Sequence, residues 1–264
     1  MERIRSASFL VFLLLELLST SPAPAQSLNE VLSAVSRNVK EFQDLLPDFV
    51  CNERVTSTEF DSGRVLKERV VESIFTGVQQ VNIENRFRAA FTESREVLTI
   101  DGKPAKGAAF PKVPYRFTGG FSSLVITTFA ADNLQHHNYS IADSYKSGSS
   151  SALLVQFATK EGQQHLRVLF QGTRLFAKDV GAAWIDQTSF EVLRLQRQSL
   201  NLPPDFTRSV VTADYGLVTI GERQFRMPVR IRAEVTERNP RATVSYVAEY
   251  GECRKFTADI KLIP

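Results

Sequence analysis

Few residues in this chain have the types and spacings that covalent chemistry demands. The 264-residue sequence holds three histidines, His136, His137 and His165, and two cysteines, Cys51 and Cys253. Adjacent His136 and His137 point to opposite faces of an extended strand and cannot readily share one metal ion. His165 alternates with Leu166 and Arg167, and no spaced cysteine or carboxylate completes a ligand set around any of the three. Gly120-Phe121-Ser122-Ser123-Leu124 presents a serine near a glycine but lacks the second glycine of a nucleophile elbow. There is no H-E-x-x-H, no C-x-x-C, no phosphate-cradling glycine loop and no dinucleotide fingerprint. Carboxylate pairs carry no signal in a chain with 29 acidic residues. The expectation is no enzyme, no cofactor and no metal, with a hydrolase ranked last among the readings.

Three other groups suit binding or stapling. Arg226, Arg230 and Arg232 alternate with apolar residues on one strand, as a basic row that grips a lipid phosphate or an acidic partner, or as the ordinary wet side of that strand. Phe110, Tyr115, Phe117, Phe121, Leu124 and Phe129 crowd into about twenty residues. They read either as a movable lid over a cavity for an apolar chain or as a fixed plug that completes a core. Cys51 and Cys253 stand near the two ends of the mature chain. On an exported protein a disulfide is the better reading, and a loop of about 200 residues closed by it stabilises by roughly 5 kcal/mol at most in the chain-entropy model.

The reading of export comes from the N-terminus. Arg3 and Arg5, an apolar run Phe9–Leu18 broken only by Glu16, and the Ala23-Pro24-Ala25 site follow the order of a secretory signal peptide, with cleavage after Ala25. The run is half the roughly 20 apolar residues needed to span a bilayer, and no later stretch is longer, so the product is expected to be periplasmic or secreted and not membrane-spanning. Lys plus Arg is 32 against 29 acidic residues, a net charge of +3 with no basic block, so composition gives no reason to expect a nucleic-acid partner.

The elements that must hold these groups follow from periodicity. Ser27-Leu28-Asn29-Glu30 is a capping box, and Leu28, Val31, Leu32, Val35, Val39 and Phe42 recur at helical spacing until Pro47, so residues 28–46 form an amphipathic helix. From Phe49 the period is two. Strands are expected at 49–60 and 64–76 around Asp61-Ser62-Gly63, then at 81–91 and 95–100. Residues 102–120 hold three prolines and four glycines, a long connection leading to a short helix at 120–132 with freedom at Gly119-Gly120. Further strand pairs are expected at 152–159 with 163–171, at 182–186 with 190–197, at 209–220 with 225–236, and at 242–250 with 254–263 around a turn at Gly251. Pro228 fits inside such a strand only at an edge or a bulge. The sum is a mainly β, α+β chain of one domain, residues 26–264: a meandering antiparallel sheet of about eleven strands with an N-terminal and a mid-chain helix on one face.

This order, together with Leu98-Thr99-Ile100-Asp101-Gly102-Lys103-Pro104, Ala183-Trp184-Ile185-Asp186 with Phe190-Glu191-Val192-Leu193-Arg194, and Asp214-Tyr215-Gly216, resembles the LolA/RseB-like superfamily of periplasmic lipoprotein carriers and sensors. The resemblance implies an unclosed, curved half-barrel whose concave apolar face is covered by helices. It implies a binding protein for a hydrophobic ligand, a lipid or an acylated protein. The alternative it implies is a sensor module that docks on an envelope protein without a bound lipid.

Overall fold

A computed structural model describes residues 26–79, 91–105, 107–117, 120–147, 150–164, 167–170, 173–238 and 242–256. The leader, residues 81–90 of an expected strand, Gly119, His165 and the tail from 257 lie outside them.

Helix α1, Leu28–Leu45, begins at the capping box: Ser27 Oγ accepts from Glu30 N while the Glu30 carboxylate accepts from Ser27 N. Its buried stripe is Val31, Ala34, Val35 and Val39, at helical spacing. Strands β1 (Phe49–Asp61) and β2 (Arg64–Gln79) flank a turn in which Ser62 and Gly63 both take positive φ. Strand β3 is Phe91–Ile100 and β4 is Lys103–Pro104. The mid-chain helix is shorter than its pattern suggests: α2 runs Gly120–Phe129, the chain turns extended at Ala130, and α3 takes Ala131–Leu134. Thr127 and Thr128 direct their hydroxyls to carbonyls of the preceding turn, Ser123 and Leu124, just before that break.

The remaining strands are β5 (His137–Ser147), β6 (Ser150–Thr159), β7 (Arg167–Phe170), β8 (Thr173–Phe176), β9 (Asp179–Asp186), β10 (Val192–Ser199), β11 (Phe206–Ile220), β12 (Arg223–Glu237) and β13 (Ala242–Lys255). Eleven of the thirteen form one antiparallel sheet in the order β4-β3-β2-β1-β13-β12-β11-β10-β9-β6-β5. The sheet is not closed, with β4 and β5 at its two edges. It is therefore two meanders joined where β1 pairs with β13, rather than one.

Two expected pairings are corrected. Residues 167–170 of the expected strand 163–171 do not pair with β6, because β6 already has β5 on one side and β9 on the other; instead β7 and β8 make a separate two-stranded ribbon. Gly251 does not turn the chain. Strand β13 runs through it to Lys255, and a register shift opposite Cys51 absorbs the irregularity, with Glu252 at φ 50°. Cys51 and Cys253 form a disulfide at that shift, binding the first strand to the last.

Both long helices lie on one face of the sheet. That face carries Phe49, Cys51, Val55, Phe75, Leu195, Ala213, Tyr246 and Ala248, all at or near zero exposure. Alternate positions such as Asn52 and Arg54 are exposed, as a half-buried antiparallel sheet requires. Gly77 lets Phe49 lie against the sheet: a Cβ there would come within 2.5 Å of the Phe49 ring.

Candidate functional site

Helix α1 does not close onto the sheet along its whole length. At its C-terminal half it leaves a cavity of about 490 Å³. Val35, Val39, Phe42 and Leu45 form the helix wall, and Val125 of α2 closes one side. Val192, Tyr215 and Phe225 form the sheet side, beside Phe190. Polar groups line its more exposed side, the rim: Asn38 and Glu41 from α1, Glu191 just before β10, and Arg223, Gln224 and Arg226 from β12. An apolar interior with a few convergent polar groups is the usual make-up of a small-molecule site.

The rim is built by local chemistry. Asp186 Oδ1 accepts from the backbone N–H groups of Thr188 and Ser189, which fixes the β9–β10 turn and holds the Asp186 carboxyl below its ordinary range. Asn38 Nδ2 donates to Ser189 O at 2.8 Å, anchoring α1 to that turn. Phe190 follows at φ 57°, outside the strand that its alternation suggests. Glu191 Oε2 then accepts from Arg226 Nε at 3.1 Å and Nη2 at 2.9 Å.

The three arginines of the expected basic row do not share a face. Arg226 is registered with Leu217, whereas Arg230 and Arg232 are registered with Asp214 and Thr212. The register shifts between Asp214 and Tyr215, leaving Val229 as the extra residue of a bulge next to Pro228. Successive residues of β11 alternate faces, so the shift turns Arg226 to the cavity side and Arg230 and Arg232 to the other. Arg230 lies 3.6 Å from Glu249 there, and Arg232 is exposed. Arg223 was not singled out by the sequence, since nothing in its turn, Gly221-Glu222-Arg223, marks it as facing a cavity.

The six aromatic and aliphatic residues of the insert take two situations. Phe121, Leu124, Phe129 and Tyr115 are buried in the core, and Phe110 and Phe117 pack against it half-buried. Phe121 meets the rings of Phe49, Phe75 and Tyr250 at 5.3, 5.0 and 4.9 Å, and Phe129 meets Tyr139 and Phe157. Polar contacts hold α2 in place. Arg197 Nη2 reaches Leu124 O at 3.1 Å and the hydroxyls of Thr127 and Thr128, and Tyr139 donates to Thr128 O.

A second polar centre lies beneath the insert and has no sequence signature, because its members come from three separate strands. Glu53 stands on the covered face of β1 at 2% exposure. Its carboxylate accepts from Arg95 Nε at 3.0 and 2.8 Å and from Ser73 Oγ at 2.8 Å. The Arg95 guanidinium sits 4.9 Å over the Phe75 ring. Burial opposes the Arg95 charge, but Glu53 together with the nearby Tyr246 and Tyr250 outweighs it, so that charge is held more firmly than in water. Burial, with Glu53 nearby, pushes the Tyr246 and Tyr250 phenols well above their usual range.

His136 and His137 behave as local structure. His137 is buried against Tyr139 and Phe157, and His136 Nδ1 lies 2.9 Å from Gln163 Oε1. Among the described residues, no group of three or more metal-ligating side chains gathers, and no helix is long and apolar enough to cross a membrane.

Fold and site together define a class: an open antiparallel sheet with helices on one face and an apolar cleft between helix and sheet. The sequence matches no protein-family model and none of the curated proteins it was compared with. Among solved structures it is similar to a DUF1329 family protein from Desulfovibrio piger, at 10% identity over 90% of this chain and 96% of that one, with a TM-score of 0.42. It is similar to a LolA superfamily protein from Nitrosomonas europaea, at 12% identity over 88% and 97%, with a TM-score of 0.40. A domain described as outer membrane lipoprotein-sorting, from Vibrio parahaemolyticus, aligns at 8% identity over 87% and 94%, with a TM-score of 0.41.

Proposed function

We propose that this chain is an exported binding protein for a hydrophobic ligand, a lipid or the acyl chain of an acylated protein, and that the ligand lodges in the cleft between α1 and the sheet. The observation that carries the reading is the cavity of about 490 Å³ walled by Val35, Val39, Phe42, Val125, Val192 and Phe225. Sites that take one small molecule run from roughly 300 to 1,000 Å³. Export rests on the N-terminal pattern and is supported by the Cys51–Cys253 disulfide, since such bonds persist in oxidising compartments. In this reading α2 is the back wall of the site, contributing Val125, and the insert's aromatic residues keep that wall in place. No residue is assigned a catalytic role.

Native mass spectrometry of delipidated protein, re-exposed to cell-envelope lipids, tests the proposal. A discrete, saturable adduct of one ligand per chain is expected. Absence of any adduct would overturn it in favour of a module that docks on an envelope protein without a lipid.

A further inference from the structure

Resting on that binding reading, we infer that the ligand is a single-chain amphiphile with an oxyanion head, received by Arg223 and Arg226 at the rim of the α1 cleft. Four observations converge. The cavity has the volume of one small molecule, and two arginines of β12, Arg223 and Arg226, line it together with its apolar side chains. The second observation is the state of those two guanidinium groups: Arg223 has no carboxylate within 4.0 Å among the described residues. Arg226 commits Nε and Nη2 to Glu191, which fixes the plane of the guanidinium and leaves Nη1 without an acceptor among the described residues. A guanidinium oriented on one edge and open on another suits charge-assisted hydrogen bonds to a carboxylate or phosphate.

The bulge at Val229 is the third observation. The register shift there puts Arg226 on the face opposite Arg230 and Arg232, and Arg226 lines the cavity. Bulges re-aim side chains in this way. The fourth is an apolar approach to the same rim. Leu45 lines the cavity at 41% exposure, and Leu217, the register partner of Arg226, is 55% exposed. Two large side chains left in water beside an arginine-bearing cleft fit an apolar chain entering past them. The counter-charges have their own places: Glu191 orients Arg226, and Glu41 stands on the opposite, helix wall, one turn beyond Arg37.

The test compares four probes with the same tail: myristate, tetradecyl phosphate, tetradecyl maltoside and tetradecyltrimethylammonium, titrated into delipidated full chain. Myristate, tetradecyl phosphate or both are expected to bind about tenfold or more tightly than the neutral and cationic probes, and their ranking separates a fatty-acid source from a lipid-phosphate source. Arg223→Gln, at an exposed position with no ion-pair partner among the described residues, should remove about tenfold of that preference and leave the maltoside unchanged. Arg230→Gln with Arg232→Gln, on the other face, should leave all four affinities as they were. Equal binding of all four probes would overturn the oxyanion head while leaving the hydrophobic site standing. Binding of none would overturn the site itself.

Discussion

Ser57 and Tyr115 hold each other twice. Ser57 Oγ donates to Tyr115 O at 2.8 Å and accepts from Tyr115 N at 2.9 Å, both buried, so one hydroxyl of β1 satisfies both backbone groups of one residue in the insert. Fifty-eight residues of chain separate the two. Removal of the hydroxyl leaves a buried donor and acceptor without partners, which costs about 1–3 kcal/mol. Ser57→Ala is expected to lower stability by that amount in denaturant titration, and to speed hydrogen exchange at residues 107–117 more than in β1. Unchanged exchange in the insert would show that the clamp does not hold it.

The Glu53–Arg95 pair is expected to be far more sensitive to breaking than to replacement. Arg95→Met strands a carboxylate at 2% exposure, for a loss of about 3–5 kcal/mol. Glu53→Leu combined with Arg95→Met removes both charges and should recover most of that loss. A double-mutant cycle by chemical denaturation checks this, and additive losses would contradict a coupled pair.

Buried tyrosines set the alkaline limit. Burial pushes the Tyr115 phenol up to about 12, and Tyr139, Tyr215, Tyr246 and Tyr250 higher still. An unfolded tyrosine loses its proton near pH 10. Between that pH and the folded values the unfolded chain binds fewer protons than the folded one, so stability falls as pH rises. Stability should therefore be flat in this respect below about pH 10 and decline above it, with most phenolate absorbance appearing only as the chain unfolds. Phenolate appearing in full while the near-ultraviolet circular dichroism stays native would contradict the burial.

Phe121 and Phe129 distinguish a fixed wall from a movable lid. Each is at 2% exposure or less, and truncating a buried phenylalanine to alanine costs about 3–5 kcal/mol. Phe121→Ala with Phe129→Ala should lose several kcal/mol of stability and gain no saturable uptake of a fluorescent fatty acid. A stable double mutant with increased saturable uptake would restore the lid.

The parts legible in sequence were those with local causes. The capping box and the 3.6-residue stripe gave α1, and Ser62-Gly63 gave the first hairpin, because both signals lie within a few neighbouring residues. Pro228 announced an edge or a bulge, since a residue without an N–H disturbs a ladder. What the bulge does was not legible: the alternation around Val229 reads as unbroken, and only the pairing with β11 reveals that Arg226 changes face. The pairing of β1 with β13 and the gathering of Glu53, Ser73 and Arg95 depend on contacts between distant segments, and no periodicity records those. The cleft escaped for the same reason. Its walls come from α1, α2, β10, β11 and β12, and α1 reads as a helix that packs along its whole length.

The most direct test of the account is where a ligand touches the chain. A photoactivatable analogue of myristate, bound to delipidated protein, irradiated and mapped by peptide mass spectrometry, should label the C-terminal half of α1, Asn38–Leu45, and the start of β12, Arg223–Arg226, with labelling that saturates and is competed by unmodified myristate. Saturable labelling confined to the insert at 107–117 or to the outer face of the sheet, or labelling that never saturates, would contradict a binding site in the α1 cleft.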